Sequence, residues 1–130
     1  MPANQSLTGH DTFGAYVKAR REALGKTVRG LATELGMTPA YLSDIENGNR
    51  YAPEKYLSKI IEILLITGEE DLNTFYDLAG KARNDIFPDI NPYIGNKAIA
   101  RVALRKARDL DISDSQWQDF INRMAKKTDQ

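Results

Sequence analysis

The sequence contains no cysteine, which excludes disulfide bonds and thiolate metal sites. Its one histidine, His10, lies in an N-terminal stretch without a recognisable motif, so a Ser/His/Asp triad is not expected. No glycine-rich phosphate loop is present. The acidic run Glu69, Glu70 and Asp71 stands at a predicted helix start, where the helix dipole favours carboxylates. We therefore expect no enzymatic activity, no cofactor and no metal site.

Long apolar runs and an excess of charge of one sign are also missing. No run approaches the roughly 20 apolar residues that a membrane helix needs, so no membrane association is expected. The first residues do not resemble a signal peptide, and a cytoplasmic location is expected. The 18 basic residues equal the 18 acidic residues in number. This balance disfavours non-specific coating of a polyanion but allows a local contact with DNA.

Apolar residues recur at helical spacing through most of the chain, and no alternating strand pattern of useful length occurs. The pattern predicts an all-α fold with five short helices in the first part and two in the last. Residues 84–95 hold two prolines and a glycine, which predicts a linker or a packed extended segment. We expect a domain at residues 10–83, a linker at 84–95 and a two-helix hairpin at 96–127.

Residues suited to helix ends support these bounds. They are Gly25 and Gly36 as left-handed C-terminal residues, Thr27 and Thr38 as N-caps, Pro39 and Pro53 as first helical residues, and Ser113 with Gln116 as a capping box. The first helix is predicted to run from about residue 11 to 24. The third is predicted to run from residue 38 to 47.

The segment from residue 27 to 50 predicts two short helices separated by a tight turn. Ala32 is small enough for the helices to approach closely, and Gly36 suits a turn with positive φ. Apolar residues are spaced to form a small core between the two helices: Leu31, Leu35, Met37, Leu42 and Ile45. The polar remainder of the second of these helices would then point outwards.

These features together resemble the lambda-repressor/Cro-like helix-turn-helix family, also called the XRE family, over residues 13–65. The matching features are the pair Leu31–Ala32, the turn residue Gly36, and the closing run Ile45-Glu46-Asn47-Gly48. The resemblance implies a DNA-binding domain of five short helices, whose third helix enters the major groove of double-stranded DNA. The DNA-binding residues that it implies are Thr27, Arg29, Thr38, Pro39, Ala40, Tyr41, Ser43, Asp44, Asn47, Asn49 and Arg50.

Within that set, the resemblance directs Pro39, Ala40, Ser43 and Asp44 towards base edges and the remaining side chains mainly towards the backbone. Two features depart from the family pattern. Val28 replaces a glutamine that binds phosphate in many relatives, and the third helix lacks Arg, Lys and Gln at its usual reading positions. Base readout is therefore expected to be thin, with a larger share for DNA shape.

Several alternatives stay open from the sequence. Ser43 and Asp44 can form a solvated face, Asp44 can pair with Arg50, and Tyr41 can be a packed aromatic residue. Arg20 and Arg21 are predicted to be surface charges. In the tail, Arg101, Arg105 and Arg108 form a basic face that is either solvated, an added contact with the DNA backbone or a partner surface. An apolar face of the tail either caps the core, forms a dimer seam or binds a protein partner. Its members are Trp117, Phe120, Ile121 and Met124.

The favoured function is a transcriptional regulator, in the form of a repressor that binds a palindromic operator as a homodimer. One alternative is an antitoxin or a phage or mobile-element control protein whose C-terminal helices bind another protein. A further alternative is a helix-turn-helix-derived protein-interaction module that has lost DNA binding.

Overall fold

The computed structural model describes residues 12–83 and 88–128, and in these residues it contains eight α-helices and no strand. The chain divides into two compact units, Met1–Asn91 and Pro92–Gln130. The helices are α1 Phe13–Ala23, α2 Val28–Leu35, α3 Pro39–Glu46, α4 Glu54–Ile63, α5 Glu69–Arg83, α6 Asn91–Asn96, α7 Ala98–Asp109 and α8 Asp114–Thr128. The predicted all-α fold, with the helix-turn-helix in its first half, is confirmed.

The first unit is built around one apolar core. In this unit α1 packs against α3 and α5, while α2 packs against α3 and α4. Each helix contributes apolar residues at helical spacing, so that one stripe of each is removed from water. The most deeply buried large side chains are Val17, Leu31, Leu42, Ile45, Ile60, Leu64, Ile66 and Phe75. Phe75 of α5 meets Phe13 of α1 edge to face, with ring centroids 5.2 Å apart.

Two local expectations about helix ends need correction. Pro53 is the N-cap of α4 and not its first helical residue; its φ of −58° suits either place, and the helix begins at Glu54. The predicted start of the first helix at Asp11 lies outside the described residues, and α1 begins at Phe13 with Thr12 as its N-cap. The Thr12 hydroxyl oxygen accepts a hydrogen bond from the backbone N–H of Ala15.

Part of the predicted linker is helical. Residues 91–96 form the short helix α6, although residues 84–95 were predicted to be a linker or a packed extended segment. Pro92 lies in the first turn of this helix, where proline costs no intrahelical hydrogen bond, so its presence does not exclude a helix. Ile86 and Phe87, the first apolar residues of the expected segment, lie outside the described residues.

The second unit has two longer helices, α7 and α8, which a short turn joins as predicted. The capping box is confirmed: the N–H of Gln116 donates to the Ser113 hydroxyl over 3.1 Å, and the N–H of Ser113 donates to the Gln116 side-chain oxygen over 3.0 Å. The helix pairs that pack most closely all lie in the first unit. Two C-terminal helices joined by a short turn are thus confirmed.

Candidate nucleic-acid interface

The turn between α2 and α3 sets the angle between the two helices. Gly36 ends α2 with φ 78° and ψ 30°, a left-handed conformation that glycine adopts without steric cost. The next backbone N–H, that of Met37, donates to the carbonyl of Ala32 over 3.0 Å and closes the turn. Ala32 is fully buried, as expected for a residue at which the helices approach closely.

The third helix is anchored by its apolar face. Leu42 and Ile45 of α3 are almost completely buried, and together they fix the rotation of the helix about its axis. The Thr38 hydroxyl accepts from the N–H of Tyr41 over 3.1 Å and defines the start of the helix. Because both the start and the rotation are fixed, the residues between the buried positions point to the outside of the unit.

The C-terminal end of α3 is held against α1 by two contacts that the sequence did not reveal. Arg21 of α1 donates from Nε and Nη2 to the two carboxylate oxygens of Glu46, over 2.8 and 3.0 Å. Both side chains are buried, so the expectation that Arg21 is a surface charge is wrong. The hydrogen-bonded Glu46 carboxylate raises the pKa of Arg21, because it favours the charged guanidinium.

The second contact is steric. A Cβ atom built on Gly14 of α1 would overlap with the carbonyl oxygens of Ile45 and Glu46 and would lie 2.7 Å from the Glu46 carbonyl carbon. A glycine is therefore required for α1 to approach the end of α3 this closely. Together, Gly14 and Arg21 fix the last turn of α3 in both distance and direction.

The structure places all of the sequence-predicted site residues at the surface of the first unit. Those on or next to α3 are half-buried or exposed, with Pro39, Tyr41, Ser43 and Asp44 half-buried and Thr38, Ala40, Asn47, Asn49 and Arg50 exposed. Thr27 and Arg29, at the start of α2, are exposed as well. Small and polar groups therefore form one outward face that begins at Pro39 and continues past the end of α3.

At one edge of this face, aromatic rings and cations lie together. The guanidinium carbon of Arg50 lies 4.5 Å from the ring centroid of Tyr41, which also lies 6.3 Å from the ring of Tyr56. No ion pair joins Arg50 to Asp44 among residues 12–83 and 88–128, and Arg50 stacks on Tyr41 instead. The stacked cation keeps hydrogen-bond donors that can reach a phosphate.

Sequence reasoning missed the residues that extend this edge. Lys55 lies over the ring of Tyr56 at 5.2 Å, and the guanidinium carbon of Arg83 lies 5.0 Å from the ring centroid of Tyr51. The alternation of aromatic and basic residues in the segment from Arg50 to Tyr56 is a signal that could have found the first pair. Arg83 comes from the end of α5, and no local pattern connects it with Tyr51.

The start of α2 presents a different kind of group. The Thr27 hydroxyl oxygen accepts from the N–H of Gly30 over 2.9 Å, which leaves its own hydrogen available to donate. Arg29 is exposed, and within the described part of the chain it has no ion-pair partner. Val28, between these two residues, is half-buried and packs against the core. A helix start with a free cation and a free hydroxyl suits phosphate.

Comparison with known proteins agrees with this geometry. A family model described as a helix-turn-helix domain matches residues 12–72, which run from the N-cap of α1 into α5. Searches of curated proteins and of solved structures give no significant match. No helix in the described ranges is long and apolar enough to cross a membrane, and these ranges hold no cluster of metal ligands. The match and the fold together indicate a DNA-binding domain of the kind found in transcription regulators.

Proposed function

We propose that this protein is a transcriptional repressor of the lambda-repressor/Cro-like class, which binds a palindromic operator in double-stranded DNA as a homodimer. The observation that carries the proposal is the outward face of α3, held from behind by the buried Leu42 and Ile45 and at its end by the pair Arg21–Glu46. A helix that projects from a domain on a rigid base can enter the major groove, which is wide enough to admit it.

The base-reading residues are Pro39, Ala40, Ser43 and Asp44. Pro39 and Ala40 offer apolar surface to thymine methyl groups, and the Asp44 carboxylate can accept a hydrogen bond from the amino group of cytosine. Ser43 can donate to or accept from either partner of a base pair. With one charged group among the four, direct readout is limited, and the sequence-dependent shape of the operator contributes to specificity.

Backbone contacts orient the domain. Donors are presented at two places, by Thr27 and Arg29 at the start of α2 and by Arg50, which stacks on Tyr41 of α3. Thr38, Asn47 and Asn49 add short polar groups around the same face. Such phosphate contacts fix register and orientation without carrying sequence information. Two copies that bind half-sites about 10 bp apart, one turn of the duplex, read a palindrome.

The test is a double substitution on the reading face. Ser43→Ala with Asp44→Ala should change the sequence that is selected from random duplex DNA, because two base-reading groups are lost while the buried anchors remain. The matched control is Ser58→Ala with Asp77→Ala, which makes the same chemical changes on exposed positions of α4 and α5 and should leave the selected sequence unchanged. Unchanged preference in the α3 variant would remove these two residues from the reading face.

A second variant separates phosphate contact from base contact. Arg50→Ala should weaken binding to all DNA sequences alike. It should also make the slope of log K against log[salt] shallower by about one unit, because one phosphate contact is lost. A sequence-specific effect of Arg50→Ala would contradict its assignment to the backbone. Lys18→Ala, which removes one exposed cation from α1, serves as the charge-matched control.

A further inference from the structure

The second unit exposes far more apolar surface than the first. Among the described residues of the first unit, the large exposed apolar side chains, such as Leu24 and Leu65, are scattered singly. On α7 and α8 they are concentrated, with Ile99 71% exposed, Leu110 68% and Ile121 49%. Isolated exposed apolar residues are ordinary in soluble proteins, whereas a concentrated patch marks an interaction surface.

Apart from Leu104 of α7, these side chains form one stripe on each helix, which we call the α7 stripe and the α8 stripe. The α7 stripe consists of Ile99, Val102, Ala103 and Leu110. The α8 stripe consists of Trp117, Phe120, Ile121 and Met124. The residues of each stripe lie on one face of their helix, and this face takes up about three of every seven positions. An apolar face of this width is found in helices that face the core of a bundle. Trp117 and Phe120 meet edge to face, with centroids 6.1 Å apart.

The exposed area suits an interface between two proteins. The seven large side chains of the two stripes expose on the order of 700 Å² per chain, close to the ~800 Å² that each partner contributes to a standard interface. Stripes of this width cannot both be covered by packing α7 against α8 alone. Two further stripes of the same kind complete a four-helix bundle, and a second copy of the chain supplies them.

The charges of α8 favour a second copy that runs antiparallel. Its first half carries Asp114 and Asp119, and Asp111 lies in the turn before it. Its second half carries Arg123, Lys126 and Lys127. An antiparallel pair of α8 helices places each acidic half beside the basic half of the other copy, whereas a parallel pair places like charges together.

We infer that the second unit is a dimerisation module in which α8 pairs antiparallel with α8 of a second copy, about a two-fold axis next to Phe120 and Ile121, with the α7 stripes completing a four-helix bundle. The midpoint of the α8 stripe, between Trp117 and Met124, lies at these two residues. The inference rests on the proposed function for its purpose, because a palindrome is read by two copies, but its evidence lies wholly in the second unit.

The first test is the mass of the full chain in solution by sedimentation equilibrium at about 10 µM, since association depends on concentration. We expect twice the chain mass of 14.6 kDa. Phe120→Glu should weaken dimerisation at least about 100-fold, because it buries an unpaired charge in the interface. Asn122→Glu adds the same charge on the polar side of α8 and should leave the dimer intact. A monomeric wild type, or a Phe120→Glu variant that still dimerises, would overturn the inference.

The second test needs no destabilising change. Because the natural sequence has no cysteine, one introduced thiol can react only with its own counterpart. In the antiparallel pair the two copies of residue 121 are offset by only about 1.5 Å along the axis, whereas the two copies of residue 124 are offset by about 10 Å. A disulfide requires Cα atoms within roughly 7 Å.

Ile121→Cys should therefore form a disulfide-linked dimer under mild oxidation, while Met124→Cys and the polar-face control Asn122→Cys should not. Cross-linking of Met124→Cys as readily as Ile121→Cys would refute the antiparallel arrangement, and no cross-linking of Ile121→Cys would refute the α8 pairing. Neither test uses DNA. A dimer that binds no DNA would contradict the proposed function alone, and a DNA-binding monomer would contradict this inference alone.

Discussion

Removal of one partner from the buried pair Arg21–Glu46 should destabilise the first unit strongly. The pair is bidentate, at 2.8 and 3.0 Å, and Arg21 Nη1 also donates to the carbonyl of Lys26 over 2.9 Å. The side chains are only 8% and 4% exposed. Arg21→Met would leave the Glu46 carboxylate buried without compensation, which costs about 3–5 kcal/mol. For a domain of this size, the melting temperature should fall by at least about 12 °C.

The double variant Arg21→Met with Glu46→Leu should recover most of this loss, because it leaves no unpaired charge. Replacement of a whole buried ion pair by apolar residues is often neutral or stabilising. Urea unfolding of wild type, both single variants and the double variant, followed by circular dichroism, gives the coupling energy of the pair. The control is the exposed pair Lys26–Glu34, at 3.0 Å, whose loss should cost less than about 1 kcal/mol. Additive single-variant effects, or a cost of under about 1 kcal/mol for Arg21→Met, would refute the reasoning.

Three further substitutions test other parts of the first unit, each by its urea unfolding free energy. The added methyl group of Gly14→Ala would push α1 away from the end of α3, which should lower the free energy of unfolding by about 3 kcal/mol and reduce the DNA affinity. A neutral effect would contradict the close approach of α1 to α3. Leu65, exposed and at φ 57°, ends α4 in a left-handed conformation, so Leu65→Gly should stabilise by about 0.5–1 kcal/mol. Burial raises the pKa of Tyr16, so its neutral form is favoured in the folded state and stability should fall as pH rises above ~10. Tyr16→Phe should lessen that alkaline loss, and an identical pH profile for both proteins would contradict it.

Features that depend on a few neighbouring residues could be predicted from the sequence. The N-caps Thr27 and Thr38 and the box formed by Ser113 and Gln116 involve partners three residues apart, so the sequence contains both members of each interaction. The positive φ of Gly36 follows in the same way from the tight turn. These local signals fixed the ends of α3 to within one residue and hence the outward face of that helix.

Features that depend on distant residues could not be predicted. Arg21 and Glu46 are 25 positions apart, and nothing near Arg21 distinguishes it from the partly exposed Arg20. Gly14 lies inside a helix, where glycine is usually unfavourable, and only the approach of α3 gives it a reason. Arg50 stacks on Tyr41 although the two residues do not share a helix, so no helical spacing in the sequence predicts this contact.

The most direct test of the central proposal is selection from random duplex DNA by the full wild-type chain at about 100 mM salt, a condition under which phosphate contacts alone give weak binding. Circular dichroism on the same sample establishes that the protein is folded. We predict enrichment of a palindrome whose two short half-sites are centred about 10 bp apart. The absence of any enriched sequence from a folded sample would contradict DNA reading by α3.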